Sequence, residues 1–272
     1  MLELTDYIII FLLGSLGGFI SGFLGVGGGI IYIPILDYFL GKLGFTDGML
    51  VKAILANSLF TIIFSGSISS YKQYKAGNFF LREILLTAWP GILTALIFTW
   101  LIQHGTWYSK EVFNFVFAGM LLVITSRMFL ADTKSNEEKE SKPIQFNLTG
   151  AFAGIVTAMS GLGGGVVMMP VFTDILKQGI KKASSISNGV IPLFAIFIGI
   201  CNLAGAPVMH AGQWQIGYIL LPVVAPLILA AFVFAPLGVM ASHSAPQKLI
   251  RFTFGFFVSV VFIKTVLTIA GF

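Results

Sequence analysis

The residues of this chain that could do chemistry are few, and most of them are glycines. Gly25-Val26-Gly27-Gly28-Gly29 runs into Ile30-Ile31-Tyr32-Ile33-Pro34, and Gly161-Leu162-Gly163-Gly164-Gly165 runs into Val166-Val167-Met168-Met169-Pro170. Gly25, Gly27, Gly28, Gly29 and Pro34 thus recur as Gly161, Gly163, Gly164, Gly165 and Pro170 at one constant offset. Both copies lie in strongly apolar sequence, where clustered glycine, a poor helix former that tolerates positive φ, breaks a helix. A helix that restarts after such a break has N–H groups without intrahelical acceptors and a partial positive charge at that end. Lipid supplies no acceptor, so those groups need a buried water cavity or an anion. Glycine at 27–29 and 163–165 lets an oxyanion reach the backbone with no Cβ in the way. The alternative is a helix kink that binds nothing.

Uncharged donors follow each break. Asn57 with Ser58, and Asn188 with Ser184, Ser185 and Ser187, sit in the segment after each short helix. They can bind oxyanion oxygens without the desolvation cost of a buried cation, or simply hydrogen-bond between helices. Asp37 and Asp174 fall three and four residues after the two prolines. Carboxylates inside a membrane are costly and often carry protons, so both are candidates for proton coupling; the competing placement is the interface end of each short helix. Lys264 can snorkel outward from the last helix or face a substrate. The single cysteine, Cys201, reads as a small buried hydrophobe. His104, His210 and His243 share no ligand spacing, so no metal site is expected. No His-Glu-x-x-His, no nucleophile elbow and no paired carboxylates occur, so no catalytic residue is assigned and the chain does not read as an enzyme. No strand precedes the glycines and no Lys-Ser/Thr follows them, which removes dinucleotide and phosphate-loop readings; no cofactor is expected.

The elements that position these residues are membrane helices. Of 272 residues 57% are hydrophobic and 10% charged, with mean hydropathy +0.94, whereas soluble domains carry about 25% charged residues. The solvent is therefore mostly lipid. The start carries Glu3 and Asp6 rather than a basic stretch, so the first apolar run reads as a retained helix rather than a secretory signal. Helices are expected at about 5–24, 28–41, 50–70, 82–103 and 110–130, and again at about 145–160, 163–176, 183–204, 214–240 and 247–270. Between the two sets Asp132 to Pro143 (DTKSNEEKESKP) is a charged run without apolar periodicity, a solvated linker. Residues 1–131 form one repeat, 132–143 the linker and 144–272 the second repeat. Ala76-Gly77-Asn78-Phe79 resembles Ala211-Gly212-Gln213-Trp214, Trp89-Pro90 aligns with Ala225-Pro226, and Gly119 with Gly255. Gly14, Gly18 and Gly22, and Gly150 with Gly154, are close-packing signals at four-residue spacing. Trp89, Trp107, Tyr108 and Trp214, near segment ends, read as interface belts.

Loop charge orients the helices. Lys72, Lys75, Arg82, Arg127, Lys134, Lys139, Lys142, Lys177, Lys181, Lys182, Lys248 and Arg251 fall on one side, leaving only Lys42, Lys52, Lys110 and Lys264 elsewhere. That side is cytoplasmic, with both termini outside. The net charge of +5 is this loop charge and suits membrane orientation rather than nucleic-acid binding. The basic 71–82 loop then lies inside, while its counterpart at 204–213 lacks Lys and Arg and lies outside. An odd number of crossings per half forces that inversion. The expected fold is an all-α, polytopic membrane protein of two inverted repeats, each a glycine-broken helix pair followed by three transmembrane helices. Matched breaks in matched halves point to a transporter's binding site.

The doubled Gly-x-Gly-Gly-Gly with its Pro five residues on, in a short apolar chain of two similar halves, resembles the sulfite exporter TauE/SafE family, also called toluene sulfonate uptake permeases. Gly25 to Pro34 and Gly161 to Pro170 carry the resemblance, supported by Asn57 and Asn188, and it covers essentially the full length. It implies a multi-pass transporter of the bacterial-type inner membrane that moves small sulfur-containing anions such as sulfite or organosulfonates. The expected function is secondary transport of a small anion by alternating access, its site formed by Gly25, Gly27, Gly28, Gly29, Asn57, Ser58, Gly161, Gly163, Gly164, Gly165 and Asn188. The alternatives are an anion channel and a transporter of another small organic anion such as a carboxylate. The expected partners are the anionic substrate, the lipid bilayer and protons as the coupling ion.

Overall fold

The computed structural model describes residues 2–130, 141–205, 214–244 and 247–270. Helices α1 (Leu4–Leu24), α2 (Gly29–Lys42), α3 (Asp47–Lys75), α4 (Leu81–His104) and α5 (Lys110–Leu130) form the first half. The second contains α6 (Pro143–Ser160), α7 (Gly165–Pro170) with a π turn (Val171–Ile175), α8 (Ile180–Ala204), α9 (Leu221–Ser244) and α10 (Gln247–Ile269). A span needs about 20 apolar residues. Helices α1, α3, α4, α8 and α9 meet that demand in length and composition, and α5 and α10 run for 21 and 23 residues. Leu12, Phe115, Leu148 and Leu229 are more than half exposed, as apolar side chains facing lipid are. The chain is a polytopic all-α membrane protein.

The short segments after the breaks do not cross. Lys42 at the end of α2 meets Asp6 at the start of α1, Nζ to Oδ2 2.8 Å. The π turn returns likewise to the start of α6: Ser141 Oγ donates to the Leu176 carbonyl at 3.3 Å, and Gln178 Nε2 donates to Ser141 Oγ at 3.0 Å. Each broken pair is therefore a hairpin. The first opens on the face that gathers the Asp37–Lys110 ion pair (2.9 Å) and the Gln103–Asn202 hydrogen bond (2.8 Å); we call it the termini face. The second opens on the opposite, linker face, where Asn78 Nδ2 donates to the Lys181 carbonyl at 3.1 Å and Lys182 lies 3.8 Å from Glu83.

Packing between the halves is reciprocal. Helix α1 packs on α9 and α6 on α4, α3 crosses α8, and α5 meets α10. The glycine stripes make these seams. A Cβ on Gly22 would lie 2.1 Å from the Ala235 carbonyl oxygen, and one on Gly150 or Gly154 would lie 1.9 or 2.1 Å from the Thr87 or Gly91 oxygen. Small residues let backbones approach this closely, which in lipid replaces the missing hydrophobic drive.

Two expectations are corrected. The helix expected over 214–240 begins only at Leu221, after a turn with two short antiparallel strands, Gln215–Ile216 and Ile219–Leu220. Gly217 adopts φ 56° there, and a Cβ on it would strike the Asn202 carbonyl at 2.2 Å. The Tyr218 N–H donates to that same carbonyl at 3.0 Å, and Pro222 in the first turn suits the helix start. Tyr108 is not in an interface belt: it is 2% exposed, and its hydroxyl donates to the Met159 carbonyl near the end of α6. Trp89, Trp107 and Trp214 are exposed as expected. Residues 131–140, which hold most of the charged linker with Lys134 and Lys139, lie outside the described residues, as do His210 and Ala211-Gly212-Gln213.

Candidate functional site at the two helix breaks

Each break begins with a left-handed glycine that ends a helix. Gly25 has φ 67° and donates its N–H to the Ser21 carbonyl; Gly161 has φ 70° and donates to Thr157. Gly27 and Gly163 follow at φ 79° and 85°. Only glycine takes this region without a Cβ penalty, so the sequence spacing sets where each chain turns. The third pair differs: Gly164 is left-handed at φ 75°, whereas Gly28 is right-handed at φ −77°. Glycine is needed at 28 for space, since a Cβ would lie 2.4 Å from the Tyr32 ring and 2.7 Å from the Gly17 carbonyl.

The two hairpin tips pack directly on one another. A Cβ on Gly27 or Gly29 would lie 2.7 or 2.8 Å from the Leu162 or Gly161 carbonyl oxygen, and one on Gly165 would lie 2.7 Å from the Gly25 oxygen. Serines from the crossing helices lock this contact reciprocally. Ser58 Oγ on α3 donates to the Gly161 carbonyl at 2.8 Å, and Ser187 Oγ on α8 donates to the Gly25 carbonyl at 2.6 Å. Ser58 therefore serves backbone in this conformation. The Gly29 start of α2 and the start of the Gly165–Ile175 segment both lie here, so the N–H ends of two helices, which carry partial positive charge, meet at one buried point.

The asparagines sit beside this contact with unequal surroundings. Asn57, wholly buried, donates Nδ2 to the Ala53 and Tyr218 carbonyls at 2.7 and 3.0 Å and accepts from the Leu220 N–H through Oδ1 at 2.7 Å. It fastens the 214–220 turn to α3. Asn188, 1% exposed, lies against Gly25 and, among the described residues, reaches only Ser184 Oγ, at 3.5 Å, while its Oδ1 has no partner. An amide this buried and this little used is costly unless a water or a ligand completes it.

The carboxylates lie away from the tips. Asp37 is about one-third exposed and ion-paired to Lys110, and Asp174 accepts from Thr173 Oγ1 at 2.9 Å near the end of the π turn. Lys264 is exposed on α10 and Cys201 partly exposed on α8. Sequence reasoning passed over Tyr32, fully buried on α2 with its hydroxyl beside Ser65. It also missed a one-per-turn polar seam on α3: Asn57, Thr61, Ser65, Ser69 and Gln73, all buried. Its four-residue spacing was the signal available. Thr61 and Ser69 close it by donating to the carbonyls four residues back.

Comparison with known proteins agrees with this architecture. A probable membrane transporter protein of Haemophilus influenzae is 27% identical over 264 residues, covering 96% of this chain and 98% of that protein. A probable membrane transporter protein of Methanocaldococcus jannaschii is 25% identical over 252 residues, covering 89% of each. No solved structure matches the chain. The family described as sulfite exporter TauE/SafE matches over residues 10–265. Its glycine-broken hairpins thus sit in a chain that belongs, over nearly its whole length, to the TauE/SafE family of membrane transporters.

Proposed function

We propose that this protein is a secondary transporter that moves a small anion, a sulfur oxyanion or organosulfonate, by alternating access around the contact between the two hairpin tips. The observation that carries the reading is that contact itself. Two hairpins entering from opposite faces bring Gly25, Gly27–Gly29 and Gly161, Gly163–Gly165 together, with Asn188 underused beside them. Parting the tips exposes glycine backbone and the amide to an anion without a buried cation. Asn57 and Ser58 belong to this site by holding the turn and the second tip in place. The reciprocal packing of α1 on α9 and α6 on α4 supports residues 1–131 and 144–272 as inverted repeats joined at 132–143.

Saturable sulfite or methanesulfonate flux in proteoliposomes, driven by a pH gradient, tests the reading. Unsaturable flux would make it a channel, and flux of carboxylates alone would change the substrate class. Coupling then runs through a proton carried by Asp37 or Asp174. Gradient-driven flux that survives Asp37→Asn and Asp174→Asn would remove both.

The basic linker face supports a bacterial-type inner-membrane orientation with the linker cytoplasmic and both termini outside. In a Cys201→Ala background, Ser135→Cys should resist an impermeant thiol reagent in intact cells. External labelling would invert the orientation.

A further inference from the structure

The strongest unassigned feature lies on the termini face, between α3, α4 and α8. A narrow cleft, partly open to solvent and with room inside for about one water molecule, is lined by Lys52, Leu55, Thr99, Gln103, Ala158 and Asn202 among others. That is far below the roughly 300–1,000 Å³ of a drug-sized pocket, so the cleft admits at most an ion of a few atoms, at its open end. Lys52 Nζ donates to the Gln103 backbone carbonyl at 2.9 Å, and Gln103 Nε2 donates to Asn202 Oδ1 at 2.8 Å. Thr99 is 6% exposed, and among the described residues its hydroxyl has no partner.

Charge decides what the cleft attracts. On the same face Lys42 and Lys110 are each paired with an aspartate. Lys52 has only a carbonyl, and among the described residues no carboxylate lies within ion-pair distance of it. An ammonium has three donors, so donors remain, and the buried Thr99 hydroxyl adds another whose desolvation is uncompensated. The inner wall leads to the second break: Ala158 precedes Gly161 by one helical turn, and a Cβ on Gly161 would lie 3.1 Å from Leu55 Cδ2.

We infer that this cleft is an anion vestibule, in which Lys52, Thr99 and the Gln103–Asn202 amides hold a small oxyanion on its way to or from the second hairpin tip. The vestibule deepens the transport reading and rests on it for the anion's identity, but its charge selectivity can be measured without transport. In full-length Cys201→Ala protein, Gln103→Cys keeps the backbone carbonyl that holds Lys52 and places a thiol in the cleft. The anionic ethylsulfonate and cationic ethyltrimethylammonium methanethiosulfonates are compared, each normalised to its rate with a free thiol. The anionic reagent should react about tenfold faster, the scale of one nearby charge. Adding Lys52→Gln should bring the ratio to near one, and Lys52→Arg should preserve it. Methanesulfonate should slow the anionic reagent with lysine present and not with Lys52→Gln. A ratio unmoved by Lys52→Gln in protein of unchanged melting temperature overturns the vestibule. So does failure of both reagents to react, because a cleft closed to them admits no such anion. Charge preference without sulfonate flux would sink the transport reading and leave the vestibule standing.

Discussion

Asn57 donates to Ala53 and Tyr218 and accepts from Leu220, whereas Asn188, at a similar place after the other break, reaches only Ser184 Oγ and leaves Oδ1 bare. Both are buried polar groups in apolar helices. The difference comes from what lies beyond the helix. On the termini face the 214–220 turn dips in and presents a carbonyl and an N–H to Asn57. Asn188 instead faces Gly25, whose carbonyl Ser187 already occupies. Matched residues need not share a role, because hydrogen-bond satisfaction depends on the neighbour and not on the position in a repeat.

The largest expected effect tests whether the two tips are one machine. Gly28→Leu and Gly164→Leu should each abolish flux in correctly inserted protein. A side chain at 28 meets the Tyr32 ring and the Gly17 carbonyl; one at 164 meets Thr157 Oγ1 at 2.6 Å from Cβ. Gly164→Leu adds the left-handed penalty of roughly 1–2 kcal/mol, so its melting temperature should fall further. Normal flux in either variant would show that transport does not depend on that tip.

Smaller effects should separate the asparagines. Asn57→Ala strands the Tyr218 carbonyl and the Leu220 N–H, and should cost about 2–6 kcal/mol of stability at roughly 1–3 kcal/mol per buried group. Asn188→Ala removes one long contact and should change stability by less than about 1 kcal/mol, while raising the half-saturating anion concentration about tenfold, equivalent to about 1.4 kcal/mol. Melting curves and flux titrations on both variants decide it. The opposite pattern, stability lost at 188 and affinity lost at 57, would reverse the assignment.

Much of this fold is readable along the chain. A left-handed φ at Gly25, Gly27, Gly161 and Gly163 is a local demand, and glycine answers it locally. The apolar runs of α1, α3, α4 and α8 declare membrane helices within a few residues. The turn over 214–220 was hidden because its residues are as apolar as a helix, and its partners, Asn57 and Asn202, lie elsewhere. Tyr108 was hidden for the same reason: its acceptor is on another helix.

The sequence by itself determined the class, the two break points and the basic face, since φ preference, hydropathy and loop charge belong to single residues and short windows. Tertiary structure alone decided that the short segments turn back as hairpins and that their tips touch. It alone decided that Asn57 is engaged while Asn188 is not, and that Lys52 faces a cleft without a carboxylate. These outcomes depend on pairs such as Ser58 with Gly161, 103 positions apart. No local property of either residue specifies which partner the folded chain brings to it.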